Sequence, residues 1–141
     1  MASPVEILSS ALSVSRLRVN VLSSNIANAE TTRTAEGGPY KRKDVVQIAK
    51  ETPSDFSNTL DKISLVTPQV QAVIEDQADP RTVYQPGHPD ADPDGYVKYP
   101  NINVVTTMTD LMSATRLYQA NAVAVETVRQ MEREGRNIGN T

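Results

Sequence analysis

The stretch SPVEILSSALSVSRLRVNVLSSNIANA, residues 3–29, predicts a long amphipathic helix with a defined start. Ser3 fits the N-cap, Pro4 the first helical position and Glu6 the position that completes a capping box. Seam positions then follow at alternating intervals of three and four, the spacing of a coiled coil. The seam comprises Val5, Leu8, Leu12, Ser15, Val19, Leu22, Ile26 and Ala29. Its single polar member is Ser15, and the opposite face of the helix is polar, so the helix requires a partner surface.

A second helix is predicted at the other end of the chain. It starts between Asn103 and Thr107, both acceptable caps, runs to about Glu134, and has Gly135 as its C-terminal cap. One seam comprises Val104, Met108, Leu111, Thr115, Tyr118, Ala122 and Val125. A second, adjacent seam comprises Leu117, Asn121, Ala124, Val128 and Met131. Two adjacent seams predict two neighbours for this helix.

The predicted fold is mainly α, with the terminal helices paired in a coiled-coil-like core and a small β-rich, loop-containing insert between them. Residues 1–30 and 103–135 form one inner domain, residues 31–102 form the insert with its connecting loops, and residues 136–141 form a frayed tail. Within the insert, β-branched runs predict strands at 45–48, 69–75, 82–85 and 96–99. Ser54 to Leu60 is predicted to form one helical turn.

Composition favours a chain that associates with others. Aromatic residues make up 4% of the chain, with one Phe and no Trp, so a self-sufficient core would be thin. The formal net charge of −3 provides no broad basic field, so no nucleic-acid partner is expected. Acidic residues are concentrated in the middle: residues 44–94 carry ten carboxylates and three basic groups.

The chain has no cysteine, which excludes disulfides, thiolate nucleophiles and Cys-based zinc sites. Its N-terminus, MASPVEILSSAL, lacks the pattern of a cleaved signal peptide, and no apolar run is long enough to span a membrane. We therefore expect a protein that stays in the cytoplasm or leaves it without a cleaved signal, with no direct membrane insertion.

The segment HPDADPDGY, residues 88–96, is the strongest candidate for a metal site. Asp90, Asp92, Asp94 and Gly95 match the opening of a calcium loop, but Asn101 stands where the closing Glu belongs. A tight turn is therefore the favoured interpretation. His88 has no recognisable catalytic partners, so no cofactor, metal or catalytic residue is expected.

The segment EGGPYKRK, residues 36–43, contains two glycines and a basic run. A phosphate-binding loop needs a strand before the glycines and a helix after them, and here the order is reversed. We expect a turn, with Lys41, Arg42 and Lys43 either solvated or paired with the acidic middle of a neighbouring copy.

Two asparagines invite a structural hypothesis. Asn28 lies at the end of the first helix and Asn121 on the second helix. A polar pair in a helical seam can fix register, so we expect Asn28 and Asn121 to bond to each other between the helices, unless Asn28 simply helps to end its helix.

Three longer stretches carry a family resemblance. They are NIANAETTRTAEGGPYKRKDVV (25–46), PGHPDADPDGYVKYPNINVV (86–105) and MTDLMSATRLYQANAVAVETVRQM (108–131). Together they resemble the bacterial flagellar rod and hook family, and the middle stretch narrows the resemblance to proteins of the proximal rod.

This resemblance implies a non-enzymatic structural subunit of the periplasmic rod, part of the drive shaft that transmits torque. It implies export through the flagellar type III apparatus and helical assembly through the terminal helices. The implied partners are other copies, other rod subunits, the rod-base adaptor and the inner-membrane ring. From the residues alone, a cytoplasmic helical adaptor or signalling module that binds a partner through the same seams remains the alternative.

Two sets of residues are expected to mediate assembly. The helix-seam set comprises Leu8, Leu12, Val19, Leu22, Ile26, Asn28, Leu111, Tyr118, Asn121, Val125 and Val128. The loop set, expected to fix register between subunits, comprises Tyr40, Lys41, Arg42, Lys43, Asp92, Asp94, Tyr96 and Tyr99.

Overall fold

Two helices and four strands make up the protein, as a computed structural model describes it for residues 3–51 and 66–138. The elements in chain order are α1 (Pro4–Ala27), β1 (Lys43–Glu51), β2 (Val66–Glu75), β3 (Arg81–Tyr84), β4 (Tyr96–Tyr99) and α2 (Val104–Ile138). The helical turn predicted at Ser54 to Leu60 lies outside the described residues.

The expectation of a mainly α fold is wrong, because the chain is a mixed α and β protein with two antiparallel sheets. Each β-branched run was correctly assigned to a strand, but β1 and β2 are nine and ten residues long. Pairing extends beyond the apolar residues because backbone groups form ladder hydrogen bonds whatever the side chain. The segment between the helices is therefore a substantial part of the architecture.

The helix ends follow the predicted capping chemistry in part. At α1, the Ser3 side chain accepts from the Glu6 amide and the Glu6 side chain accepts from the Ser3 amide, which confirms the capping box. At α2, the Asn103 side chain accepts from the Thr106 amide at 3.1 Å. The expectation of a cap at Gly135 is wrong, since α2 continues through it to Ile138.

Helix α1 is packed between two other layers. On one side it lies antiparallel to α2: Ser15 contacts Asn121, while Leu12, which precedes Ser15, shares a groove with the later residue Val125. On another side it contacts the β1–β2 ribbon, where the Ser10 hydroxyl donates to the carbonyl of Pro68. The order of layers is therefore α2, α1 and the β1–β2 ribbon.

The two sheets are separate antiparallel pairs. In the β1–β2 ribbon the register runs from Lys43 opposite Glu75 to Glu51 opposite Val66, and a bulge between Val46 and Gln47 interrupts it. Such a bulge increases the local twist of a ribbon.

The second sheet is the short pair of β3 and β4, linked by the turn that contains Gly95. Val97 of β4 is fully buried. The rings of Tyr84 and Tyr96 meet edge to face with centroids 5.3 Å apart. Gly95 adopts φ 82°, and a Cβ atom there would lie 2.8 Å from Cε2 of Tyr84. Backbone conformation and space therefore both favour glycine at this position.

We expect Gly95→Ala to lower the free energy of unfolding of the purified subunit by about 1–3 kcal/mol, because the left-handed backbone and the Tyr84 ring both oppose a Cβ. Gly87→Ala is the matched control, since that position has no positive φ and open space around it. Its effect should stay within about 0.5 kcal/mol. Urea unfolding followed by tyrosine near-ultraviolet circular dichroism measures both, and equal effects would contradict the strain argument.

Candidate assembly interface

The face of α2 that meets α1 is a single seam drawn from both predicted seams. Its members are all buried or half-buried and follow one another at intervals of four and three: Thr107, Leu111, Ala114, Tyr118, Asn121, Val125 and Val128. Five of these were expected at the interface. Thr107 and Ala114 were missed because they are small and polar or weakly apolar, although the regular spacing of the other five includes their positions.

Several residues that were assigned to the predicted seams of α2 are instead exposed: Val104, Met108, Leu117 and Met131. With Val105, Met112 and Val123 they leave large apolar side chains around much of the helix. A surface helix of a self-contained domain normally shows one apolar stripe, so this distribution is typical of a helix with more than one neighbour.

The α1 seam is buried or half-buried along its length. Leu22 and Ser15 are buried, and Ala29, which closes the seam, is buried just beyond the helix end. The remaining seam members are half-buried: Val5, Leu8, Leu12, Val19 and Ile26. Asn28, at the helix end, is also half-buried.

The polar position in the α1 seam has a partner on α2. The Ser15 hydroxyl donates to the Ala11 carbonyl at 2.8 Å and accepts from Asn121 Nδ2 at 3.1 Å. This pair fixes the relative register of the helices, since any slip would leave an amide in the seam without its acceptor.

The expected bond between Asn28 and Asn121 is wrong. Asn28 donates through Nδ2 to the Ser24 carbonyl at 2.9 Å and accepts from the Thr31 hydroxyl at 3.2 Å. It therefore ends α1, which was the simpler interpretation. In an antiparallel pair, the end of α1 lies far from the middle of α2, so the two amides cannot meet.

Asn25 joins α1 to the β1–β2 ribbon and was not predicted as an interface residue. Its side chain is fully buried, donates to the Lys43 carbonyl at 2.7 Å and accepts from the Lys43 amide at 2.9 Å. The Tyr40 hydroxyl donates to the same oxygen of Asn25 at 3.1 Å. One amide thus satisfies both backbone groups of the first β1 residue.

The loop from α1 to β1 is closed on itself. The Tyr40 amide donates to the Thr31 carbonyl at 3.0 Å, and the Thr34 amide donates to the Gly38 carbonyl at 2.9 Å. The turn expected at Gly37 to Pro39 is therefore confirmed. The loop reverses the direction of the chain, so that Lys43 at the start of β1 lies beside the C-terminal end of α1.

Asp90 connects this loop to the turn that precedes β4. Its carboxylate accepts from the Thr32 hydroxyl at 2.8 Å and lies 3.7 Å from an Arg33 guanidinium nitrogen. Its amide donates to Nδ1 of His88 at 3.1 Å. Asp90 therefore serves a loop-to-loop contact, and among residues 3–51 and 66–138 no three His, Cys, Asp or Glu side chains come together as metal ligands.

The basic run is largely paired within its own chain. Arg42 lies 3.7 Å from the Asp44 carboxylate and Lys43 lies 3.8 Å from the Glu75 carboxylate. These partly exposed pairs contribute little energy, but they give Arg42 and Lys43 acidic partners within the chain, in addition to the two expected alternatives of solvation and pairing with a neighbouring copy. Only Lys41 of the run lies exposed without a described partner.

The remaining loop-set residues differ in whether their side chains are bonded within the chain or exposed. The Tyr99 hydroxyl donates to Gln85, and its ring lies under the Arg81 guanidinium at 5.5 Å. Tyr96 packs edge to face on Tyr84. Asp92 and Asp94 are exposed. Of the loop set, these two carboxylates and Lys41 are the charged side chains that lie exposed with no partner among the described residues.

No helix within residues 3–51 and 66–138 is both long enough and apolar enough to cross a membrane. The contacts of α1 and α2 make the candidate site the surface of a helix pair: an antiparallel seam with fixed register and large apolar side chains left exposed on α2. This arrangement defines a class of protein that completes its core by packing against other chains.

Comparison with known proteins identifies the family within that class. The model of the family "Flagella basal body rod protein" matches residues 6–33, and that of "Flagellar basal body rod FlgEFG protein C-terminal" matches residues 94–138. Both matches therefore fall on the helix pair and its flanks.

Individual relatives match more of the chain than the two family models do. The chain is 41% identical over 126 residues to the flagellar basal-body rod protein FlgC of Salmonella typhimurium, which covers 89% of this chain and 88% of the relative. It is 37% identical over 143 residues to FlgC of Bacillus subtilis, covering 96% and 95%. It is 34% identical over 140 residues to FlgC of Borreliella burgdorferi, covering 93% and 92%. The chain belongs to the flagellar basal-body rod protein family, in its FlgC group.

We expect Asn25→Asp to destabilise the subunit by about 2–4 kcal/mol, because the donor to the Lys43 carbonyl is lost and a carboxylate is buried. Asn20→Asp on the exposed face of α1 is the matched control and should have little effect. Urea unfolding followed by far-ultraviolet circular dichroism measures both. A loss at Asn25 no larger than at Asn20 would show that this amide does not join helix to ribbon.

We expect Leu22→Asp, or Val125→Asp, to abolish incorporation into basal bodies, since each places an unpaired charge in the buried seam. Ser23→Asp, on the neighbouring exposed position, should incorporate normally. Immunoblotting of purified basal bodies measures incorporation. Normal levels of the Leu22 or Val125 variant would refute the role of the seam.

Proposed function

We propose that the protein is a structural subunit of the flagellar basal-body rod, and that its terminal helices hold it among the other rod subunits. The observation that carries the proposal is the helix pair itself. Both family matches fall on it, and α2 exposes large apolar residues on faces that α1 does not cover. These faces supply the surface that neighbouring subunits bury.

The accessible surface of the chain supports the same proposal. It is 10399 Å² for a chain of 15.4 kDa. A compact monomer of that mass exposes about 7,000 Å². The excess surface is consistent with a subunit whose core is completed by association.

In finer detail, we propose a place in the proximal part of the rod, in the periplasm, reached through the flagellar type III apparatus. The resemblance of residues 86–105 to proximal-rod proteins supports the place in the rod. The proposed neighbours are other rod subunits, the rod-base adaptor and the inner-membrane ring. The seam of α1 and α2 then resists sliding under torque, because the Ser15–Asn121 pair disfavours any other register.

A structural role, with no catalysis, fits the chemistry of the described residues. His88 accepts from the Asp90 amide within its own turn, and the Asp90 carboxylate bonds to Thr32 and lies beside Arg33 of the other loop, so both groups that resembled a site have structural partners. The alternative of a cytoplasmic adaptor that uses the same seams is not favoured, since the relatives over most of the chain are rod proteins.

The location of the protein tests the proposal. We expect the wild-type chain, detected by immunoblotting, to co-purify with basal bodies after membranes are removed by detergent. A strain that lacks the rod is the control, because there the chain should be absent from the same fraction. Recovery of the chain only from the cytoplasm would refute the rod function and favour the adaptor.

A further inference from the structure

A groove with a volume of about 560 Å³ lies where the C-terminal part of α2 passes the N-terminal half of α1. Its apolar floor is formed by Leu12, Ala122 and Val125. Its charged lining consists of Arg129, Arg133, Arg136, Glu126 and Glu132. The three arginines recur at intervals of four and three, so they line the same side of the helix.

These arginines are without acidic partners in the part of the chain that the structure describes. None of the three guanidiniums lies within 4.0 Å of a carboxylate oxygen of residues 3–50 or 66–138. Guanidinium groups beside an apolar floor bind carboxylates well, because their fixed fork of donors matches two carboxylate oxygens. The lining carries three arginines against two glutamates, and this excess of positive charge suits the groove to an acidic ligand.

A rigid acidic turn lies at the opposite end of the molecule. The Asp92 amide donates to the Tyr96 carbonyl at 2.8 Å, and the Gly95 amide donates to the Asp92 carbonyl at 2.8 Å. The carboxylates of Asp92 and Asp94 are exposed and make no ion pair or hydrogen bond with the described residues. A turn already held in one conformation loses little entropy on binding.

The groove and the turn cannot meet within one molecule. Asp90 ties the turn to the loop that follows α1, near the start of α2, whereas Arg133 lies near the other end of α2. At 1.5 Å per helical residue the separation along α2 is about 40 Å. Complementary surfaces at opposite ends produce a head-to-tail contact, which repeats along an assembly.

We propose that the turn formed by Asp92 to Asp94 of one copy docks in the arginine groove of the next copy, with the carboxylates against Arg129, Arg133 and Arg136. The contact deepens the proposed rod function, because it names a partner and a surface for assembly, and it rests on that function. The sequence suggested that the acidic middle of a neighbouring copy could pair with Lys41 to Lys43. In this proposal the acidic turn of the neighbouring copy pairs with the arginine groove instead.

Disulfide cross-linking tests the contact, and the absence of cysteine from the chain leaves no competing thiol. The full-length variant with Asp94→Cys and Arg133→Cys, expressed in cells in place of the wild-type chain, is treated with a mild oxidant. We expect a ladder of dimers and larger multiples on non-reducing gels. Asp94→Cys with Arg116→Cys, an exposed position in the middle of α2, is the matched control and should remain monomeric.

A ladder from the Asp94→Cys, Arg133→Cys variant and none from the control variant supports the proposed contact. Absence of a ladder from the Asp94→Cys, Arg133→Cys variant overturns it. A cross-linked product whose mass corresponds to this chain plus a different protein also overturns it, because the partner would not be a second copy. Co-purification of the wild-type chain with basal bodies is measured separately, so failure of the contact and failure of the rod function can be told apart.

Charge exchange gives a second measurement that does not depend on thiol geometry. We expect Arg133→Glu and Asp94→Arg each to reduce incorporation at least about tenfold, because like charges would then face each other. The chain that carries both changes should recover most of the loss. Failure of the double variant to recover, when each single variant is defective, overturns the proposed pairing.

Discussion

The packing of α1 against α2 is the constraint on which the rest of the structure depends. Residues of α1 are buried on two sides, by α2 and by the β1–β2 ribbon, so neither neighbour can be removed without exposing an apolar face. The Ser15–Asn121 bond fixes the register of the two helices, and with it the position of everything attached to their ends. A helix with one such seam would be marginal alone.

Hydrogen bonds from polar side chains fix the positions of the loops relative to the helix pair. Asn25 of α1 bonds to both backbone groups of Lys43, which fixes the start of β1. Asp90 accepts from Thr32, which fixes the turn before β4 against the loop that follows α1. Each connection is a buried or half-buried hydrogen bond, which is costly to break because water cannot fully replace the partner. The loops are thus held in defined positions at one end of the helix pair, where they can present a surface to another molecule.

Sequence periodicity predicted residues of the α1–α2 interface, but it assigned the α2 residues to two seams where the structure has one facing α1. Leu111, Tyr118, Asn121, Val125 and Val128 lie on the observed seam, as expected. They had been distributed over two seams because residues such as Met108 and Leu117 are as apolar as true seam members and fit the same spacing. Hydrophobicity alone does not separate a residue that packs within the chain from one left for a neighbour, since both are selected for burial in an assembly.

The sequence by itself determined the two helices, the cap at Ser3, the four strand positions and the turn at Gly95, because each depends on side chains close together in the chain. Only the tertiary structure decided the partners of Asn25, Asn121 and Arg42, and the length of the strand ladders. Those depend on which backbone and side-chain groups meet across the fold, and no local pattern encodes that. Which α2 residues remain exposed was settled in the same way, by how much of that helix the shorter α1 can cover.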